Sequence, residues 1–133
     1  MTNTTTVAEK FASSAQNPVL LILFIPTKDK NGRELADSDH WLNAAIKVVS
    51  EQFGGATVMA PADGAWYNPE TETVIREKVH LVHSYGNPDA NLNCFQPIAD
   101  FLHRMGRETK QGEVGVVIDG VFHRITRYRK QTT

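Results

Sequence analysis

The sequence predicts one α+β domain in which two helices cover a single face of a mainly antiparallel sheet. Three observations carry that expectation. An unbroken apolar run begins at Val19, two stretches place apolar residues at helical spacing, and an Asp-Gly pair separates two short apolar runs near the end of the chain. A length of 133 residues fits one hydrophobic core. A chain of that size buries enough surface to fold without disulfide or metal.

The elements follow in order. Residues 1–17 are rich in Thr, Ser, Ala and Asn without a clear period, which predicts a flexible N-terminal arm. The single domain then spans 18–126. Val19 to Pro26 is apolar without alternation, so the strand belongs in the middle of the sheet with both faces sheltered. Asp37, Ser38 and Asp39 offer caps for a first helix, whose stripe is Trp41, Leu42, Ala45, Val48, Val49 and Phe53. Gly54-Gly55 ends it, because glycine takes the left-handed cap without steric cost. Ala56–Ala60 reads as a short strand, Asp63-Gly64 as a turn or bulge before Ala65–Tyr67, and Thr73 to Tyr85 as the next strand. A second helix ends at Met105 with Gly106 as its cap, and starts near Gln96 or kinks at Pro97. Arg107–Gly112 is then a polar loop. Val114–Ile118, Asp119-Gly120 and Val121–Ile125 form a hairpin on the favoured two-residue turn. The order is βαββαβ with an extra C-terminal hairpin strand, the ferredoxin-like plan. Residues 127–133 form a basic tail.

Bulk properties exclude several functions. The formal charge is −1, so nothing global draws the chain to nucleic acid or an anionic membrane. Only Arg124, Arg127, Arg129 and Lys130 cluster. The lone Cys94 forbids an internal disulfide and fits a reducing cytoplasm. The apolar run is too short to cross a bilayer, which needs about twenty residues. No phosphate-cradling glycine loop, Gly-x-Ser-x-Gly elbow or paired-carboxylate motif is present.

The middle of the chain resembles a known family. Phe53-Gly54-Gly55-Ala56-Thr57-Val58, then Gly64-Ala65-Trp66, then Ile75-Arg76-Glu77-Lys78-Val79 resembles a bacterial family catalogued only as a domain of unknown function, matched mainly over residues 40–85. The resemblance implies a ferredoxin-like fold and no established reaction. Trp66, Arg76 and Glu77 stand in these motifs and are candidate binding residues.

Further candidates come from residue type and spacing. His80 and His83 lie three apart on one strand and so point to opposite faces. Glu77 and His83 share a face but lie roughly 20 Å apart. No metal site and no cofactor are therefore expected. His103 and Arg107, four apart on or just beyond the second helix, could share a side. Arg107 could grip a carboxylate or phosphate, and Glu108 or Glu113 could serve as acid or base if burial shifted it. The candidate set is Trp66, Arg76, Glu77, His83, His103, Arg107 and Glu108.

The absence of a catalytic motif favours a small non-catalytic module that binds a protein or small molecule. It is expected to homodimerise through the open sheet face. The alternative is a small enzyme using Glu77, His83, His103 and Glu108 in a pocket between sheet and helices. An accessory subunit touching nucleic acid through its basic tail is a weaker reading, since nucleic-acid binding is not expected.

Overall fold

In the computed structural model, which describes residues 4–130, β1 (Val19–Pro26) lies at the centre of a five-stranded sheet. It is followed by α2 (Ser38–Phe53), β2 (Thr57–Asn68), β3 (Thr73–Gly86), α3 (Phe95–Glu108), β4 (Val114–Ile118) and β5 (Val121–Ile125). The strand order is β2-β3-β1-β4-β5, and every pairing is antiparallel. Within the expected arm, one helical turn, α1, spans Val7–Lys10. Residues 1–3 of that arm and 131–133 of the basic tail lie outside the described residues.

Both helices pack on one face. Leu21, Leu23 and Ile25 of β1 point into it and are fully buried, beside Val82 of β3 and Val114 and Val116 of β4. Trp41, Ala45 and Val49 of α2 and Ile98, Phe101, Leu102 and Met105 of α3 close the core from above. Burying each large side chain contributes about 1.5–3 kcal/mol. On the opposite face Leu20, Ile22 and Phe24 stay partly exposed. The expected shelter is therefore complete on the helix side only.

Local chemistry sets the ends of the elements. Asp37 precedes α2 without capping its backbone. Its Oδ2 instead accepts from Trp41 Nε1 at 3.1 Å, which fixes the indole at the core edge. Gly54 ends the helix at φ 92°, and its N–H donates to the Ser50 carbonyl. Asp119 and Gly120 both have positive φ, 52° and 82°, as a two-residue hairpin turn requires.

Two boundaries differ from the sequence expectation. The second strand is continuous from Thr57 to Asn68: the irregularity expected at Asp63-Gly64 as a turn or bulge is a bulge between Met59 and Ala62 that absorbs Pro61. The second helix starts at Phe95, with Pro97 inside its first turn where a missing N–H is tolerated. It runs past Gly106 to Glu108, so Arg107 and Glu108 are helical and not part of a loop. Gly106 is no cap. It is buried, and a Cβ there would lie 2.1 Å from the Tyr128 ring. Glycine is needed at that position for close packing.

Gly106→Ala is accordingly expected to destabilise the fold by ~1–3 kcal/mol in denaturant unfolding, against the usual helical preference for alanine. Paired with Tyr128→Ala, which removes the obstructing ring, the same substitution should become neutral or favourable.

Candidate functional site

The sheet and two loops enclose a cleft of about 540 Å³. Three segments of backbone build it. The loop after β1 contributes Lys28, Asp29 and Lys30, the β2–β3 hairpin contributes Trp66, Arg76 and Glu77, and the segment before β4 contributes Gln111 and Glu113. Arg124 of β5 completes the rim. A smaller recess of about 60 Å³, lined by Phe24, Pro26 and Val79, also meets Glu77, Gln111 and Glu113.

Short-range bonds hold these segments together. Asp29 Oδ1 accepts from the N–H groups of Asn31 (2.8 Å) and Arg33 (3.0 Å), which folds the first loop on itself. Gln111 Nε2 donates to the Lys28 carbonyl at 2.7 Å, and the Lys30 N–H donates to the Lys110 carbonyl at 3.0 Å. The two loops are thus fastened side by side at the mouth of the cleft.

The charges inside are unequal. Glu113 forms an ion pair with Arg124, its diagonal neighbour across the β4–β5 hairpin. Glu77 has no hydrogen bond or ion pair among the described residues. Burial raises its carboxyl above the ordinary range, while the nearby Lys28 pulls the other way. The β2–β3 register sets Gly64 opposite Glu77 and Trp66 opposite Ile75, on the same face. Glycine leaves space over the carboxylate, and the half-exposed Trp66 indole stands at its side. A carboxylate and an indole lining one cleft on the same sheet face are a setting that attracts a compact organic cation.

The seven sequence candidates fall into three places. Trp66, Arg76 and Glu77 meet in the cleft. His83 lies further along β3, beside a shallow groove of about 650 Å³ that runs over Gly54 and Gly55 at the other end of the sheet. Its Nε2 is buried with no hydrogen-bond partner among the described residues. His103 and Arg107 face the C-terminal segment on the outer side of α3, and Glu108 pairs with Arg104 at 3.7 Å. The expected acid–base pocket between sheet and helices does not form, because Glu77 and His83 lie on the sheet face away from the helices. Cys94, just before α3, has its thiol pushed up by burial and by Asp89, which disfavours the thiolate. Among the described residues, no three His, Cys, Asp or Glu side chains gather as a metal-ligand set, and no helix is long and apolar enough to cross a membrane.

Lys28, Gln111 and Arg124 were absent from the candidate set, and Glu113 stood only as an acid or base of the polar loop. The hairpin supplied a signal for two of them: with its turn at Asp119-Gly120, Arg124 must lie opposite Gly115 and so diagonal to Glu113. Nothing in the sequence tied Gln111 to Lys28, 83 residues away.

No family model and no curated protein sequence matches the chain. Solved structures do. The fold is similar to that of a phage SAM lyase in complex with S-methyl-5'-thioadenosine, with a TM-score of 0.61 and 12% identity, covering 88% of this chain and 95% of the other. It is also similar to a phage SAM lyase in the apo state, at a TM-score of 0.54 and 12% identity, covering 85% and 92%. These likenesses correct the expectation of a non-catalytic module, because the proteins that share the fold over nearly their whole length are enzymes.

The desolvated Glu77 has a measurable consequence. A carboxyl whose folded value is raised weakens the fold as pH climbs through that value, since the unfolded chain ionises first. Glu77→Gln is therefore expected to raise the thermal midpoint at neutral pH. The gain should vanish as pH falls and the native carboxyl takes up its proton, as followed by circular dichroism melts across a pH series.

Proposed function

We propose that this chain is a lyase acting on a sulfonium substrate of the S-adenosylmethionine class, with the cleft around Glu77 as its substrate site. The observation that carries this reading is the likeness of fold, over 88% of the chain, to a SAM lyase holding S-methyl-5'-thioadenosine. The volume of the cleft supports it, lying within the roughly 300–1,000 Å³ range of small-molecule sites. The chemistry of the lining supports it too.

S-Adenosylmethionine carries a sulfonium cation, an amino-acid end and an adenosine. Its conversion to S-methyl-5'-thioadenosine breaks the bond between sulfur and the methionine-derived chain. The bonding pair stays on sulfur, which leaves as a neutral thioether, while the substrate's own carboxylate oxygen attacks the carbon that sulfur vacates and closes a lactone. The leaving group therefore needs no proton, and the site's task is to hold the sulfonium and expose the chain. Ionised Glu77 and the Trp66 indole attract the cation, and they do so more strongly for being partly desolvated. Lys28 and Arg76 complement the substrate carboxylate. The paired Glu113 and Arg124 shape the rim without adding net charge.

The order β2-β3-β1-β4, with β5 added at the edge, supports a ferredoxin-like assignment for the fold. The partly exposed Leu20, Ile22, Phe24, Leu81 and Val117 support pairing with a second copy across the open face.

Incubating the purified protein with S-adenosylmethionine should release S-methyl-5'-thioadenosine, detected by liquid chromatography and mass spectrometry. Glu77→Gln should lower kcat/KM by roughly tenfold or more, the equivalent of ~1.4 kcal/mol of lost attraction to the sulfonium. Because the ionised carboxylate is the working form, the acid limb of the pH profile should lie above the ordinary carboxylate range. Absence of any S-methyl-5'-thioadenosine above a no-enzyme control would overturn the proposal. Light scattering after size exclusion tests the pairing separately, since a monomer at micromolar concentration contradicts it.

A further inference from the structure

Beyond β5 the chain turns back onto α3. Tyr128 lays its ring on the backbone of Gly106 and packs at the edge of the core. The Arg129 N–H donates to His103 Nδ1 at 3.0 Å, and the Arg129 carbonyl accepts from Arg107 Nη1 at 2.8 Å. The His103 and Tyr128 rings meet edge to face, with centroids 6.3 Å apart. One residue of the segment is thus held at both its amide and its carbonyl by two side chains one helical turn apart.

We propose that His103 is a proton-operated latch, which holds the segment Tyr128–Lys130 on α3 while neutral and releases it when protonated. Nδ1 accepts a hydrogen bond only in the neutral imidazole. A proton there turns the acceptor into a donor that faces the Arg129 N–H. The charged groups around the ring favour the neutral form on balance. Burial acts first and Arg129 of the segment next, with Arg107 of α3 adding to them, and together they lower the His103 value against the opposing pull of Asp100. Asp100 also accepts from Gln96 Nε2 at 2.9 Å.

The latched state therefore binds the proton more weakly than the released one. Holding is complete above the ordinary histidine value and is lost as pH falls toward the lowered one. Within that window the ratio of released to held chain grows by up to about tenfold per pH unit. The ties that oppose release are the Arg107 bond to the Arg129 carbonyl and the Tyr128 ring at the core edge, and the second is weakened. The Tyr128 hydroxyl is buried with no partner among the described residues, which costs stability in the held state. The segment also belongs to no helix or strand. Release frees a basic stretch, Arg127 to Lys130 without Tyr128's anchor, on the outer side of the helical layer.

NMR tests this directly. In the full chain, the heteronuclear NOE of the Arg129 amide and the His103 ring shifts are followed through a pH titration. His103 is expected to titrate below about 6.5, and the Arg129 amide to lose its ordered NOE with the same midpoint. His103→Asn, whose amide oxygen can replace Nδ1 as an acceptor that does not titrate, should keep the segment ordered on the acid side. His103→Phe should free it at every pH. An Arg129 amide equally ordered on both sides of the His103 titration would overturn the latch. So would release in His103→Asn with the wild-type midpoint.

Discussion

Hydrogen bonding along both edges of β1 fixes where everything else can go. β3 pairs with it from Val19 to Pro26, and β4 pairs with it from Leu21 to Leu23. Its alternation then sends Leu21, Leu23 and Ile25 to one side, where both long helices must come to bury them. Leu20, Ile22 and Phe24 go to the other side, where no comparable burial occurs. Every later choice inherits this asymmetry. The helices fill the inner face, so chemistry open to a ligand can stand only on the outer face or at its rim. The cleft lies at that rim, where two loops rise beside the β2–β3 hairpin.

Much of the architecture was legible in the sequence, for local reasons. The continuous apolar run marked a central strand, the Asp119-Gly120 pair marked a hairpin, and Gly54 marked a helix end. The misreadings came from residues whose role depends on a distant partner. Gly106 looked like a helix cap because it stands between the apolar stripe ending at Met105 and a polar run. Its actual reason is the Tyr128 ring, 22 residues later in the chain. The strand looked finished at Ala60, because the position of a bulge can be recognised only once the partner strand is known.

The candidate site divides along the same line. Trp66, Arg76 and Glu77 were singled out by the resemblance, and the β2–β3 hairpin brings them to one cleft. Gln111 and Lys28 were not, because a loop-to-loop hydrogen bond leaves no periodic trace. His103 and Arg107 were rightly placed on one side of a helix, but the ligand they hold is the chain's own backbone. The missing catalytic motif pointed away from an enzyme. On the lyase reading proposed above, a thioether leaves a sulfonium without acid, activated serine or metal, so that reading asks for little of the usual signature.

The bulge between Met59 and Ala62 acts as a parity switch for the outer half of the hairpin. Before it, Thr57 and Met59 share the face of His83 and Leu81. Beyond it, the even-numbered Ala62, Gly64 and Trp66 share the face of Val79, Glu77 and Ile75. If the register ran on from Met59 without the bulge, Ala62, Gly64 and Trp66 would turn to the far side, and Ala65 would stand diagonal to Glu77. The way one surplus residue is accommodated thus keeps an indole on the face of the carboxylate.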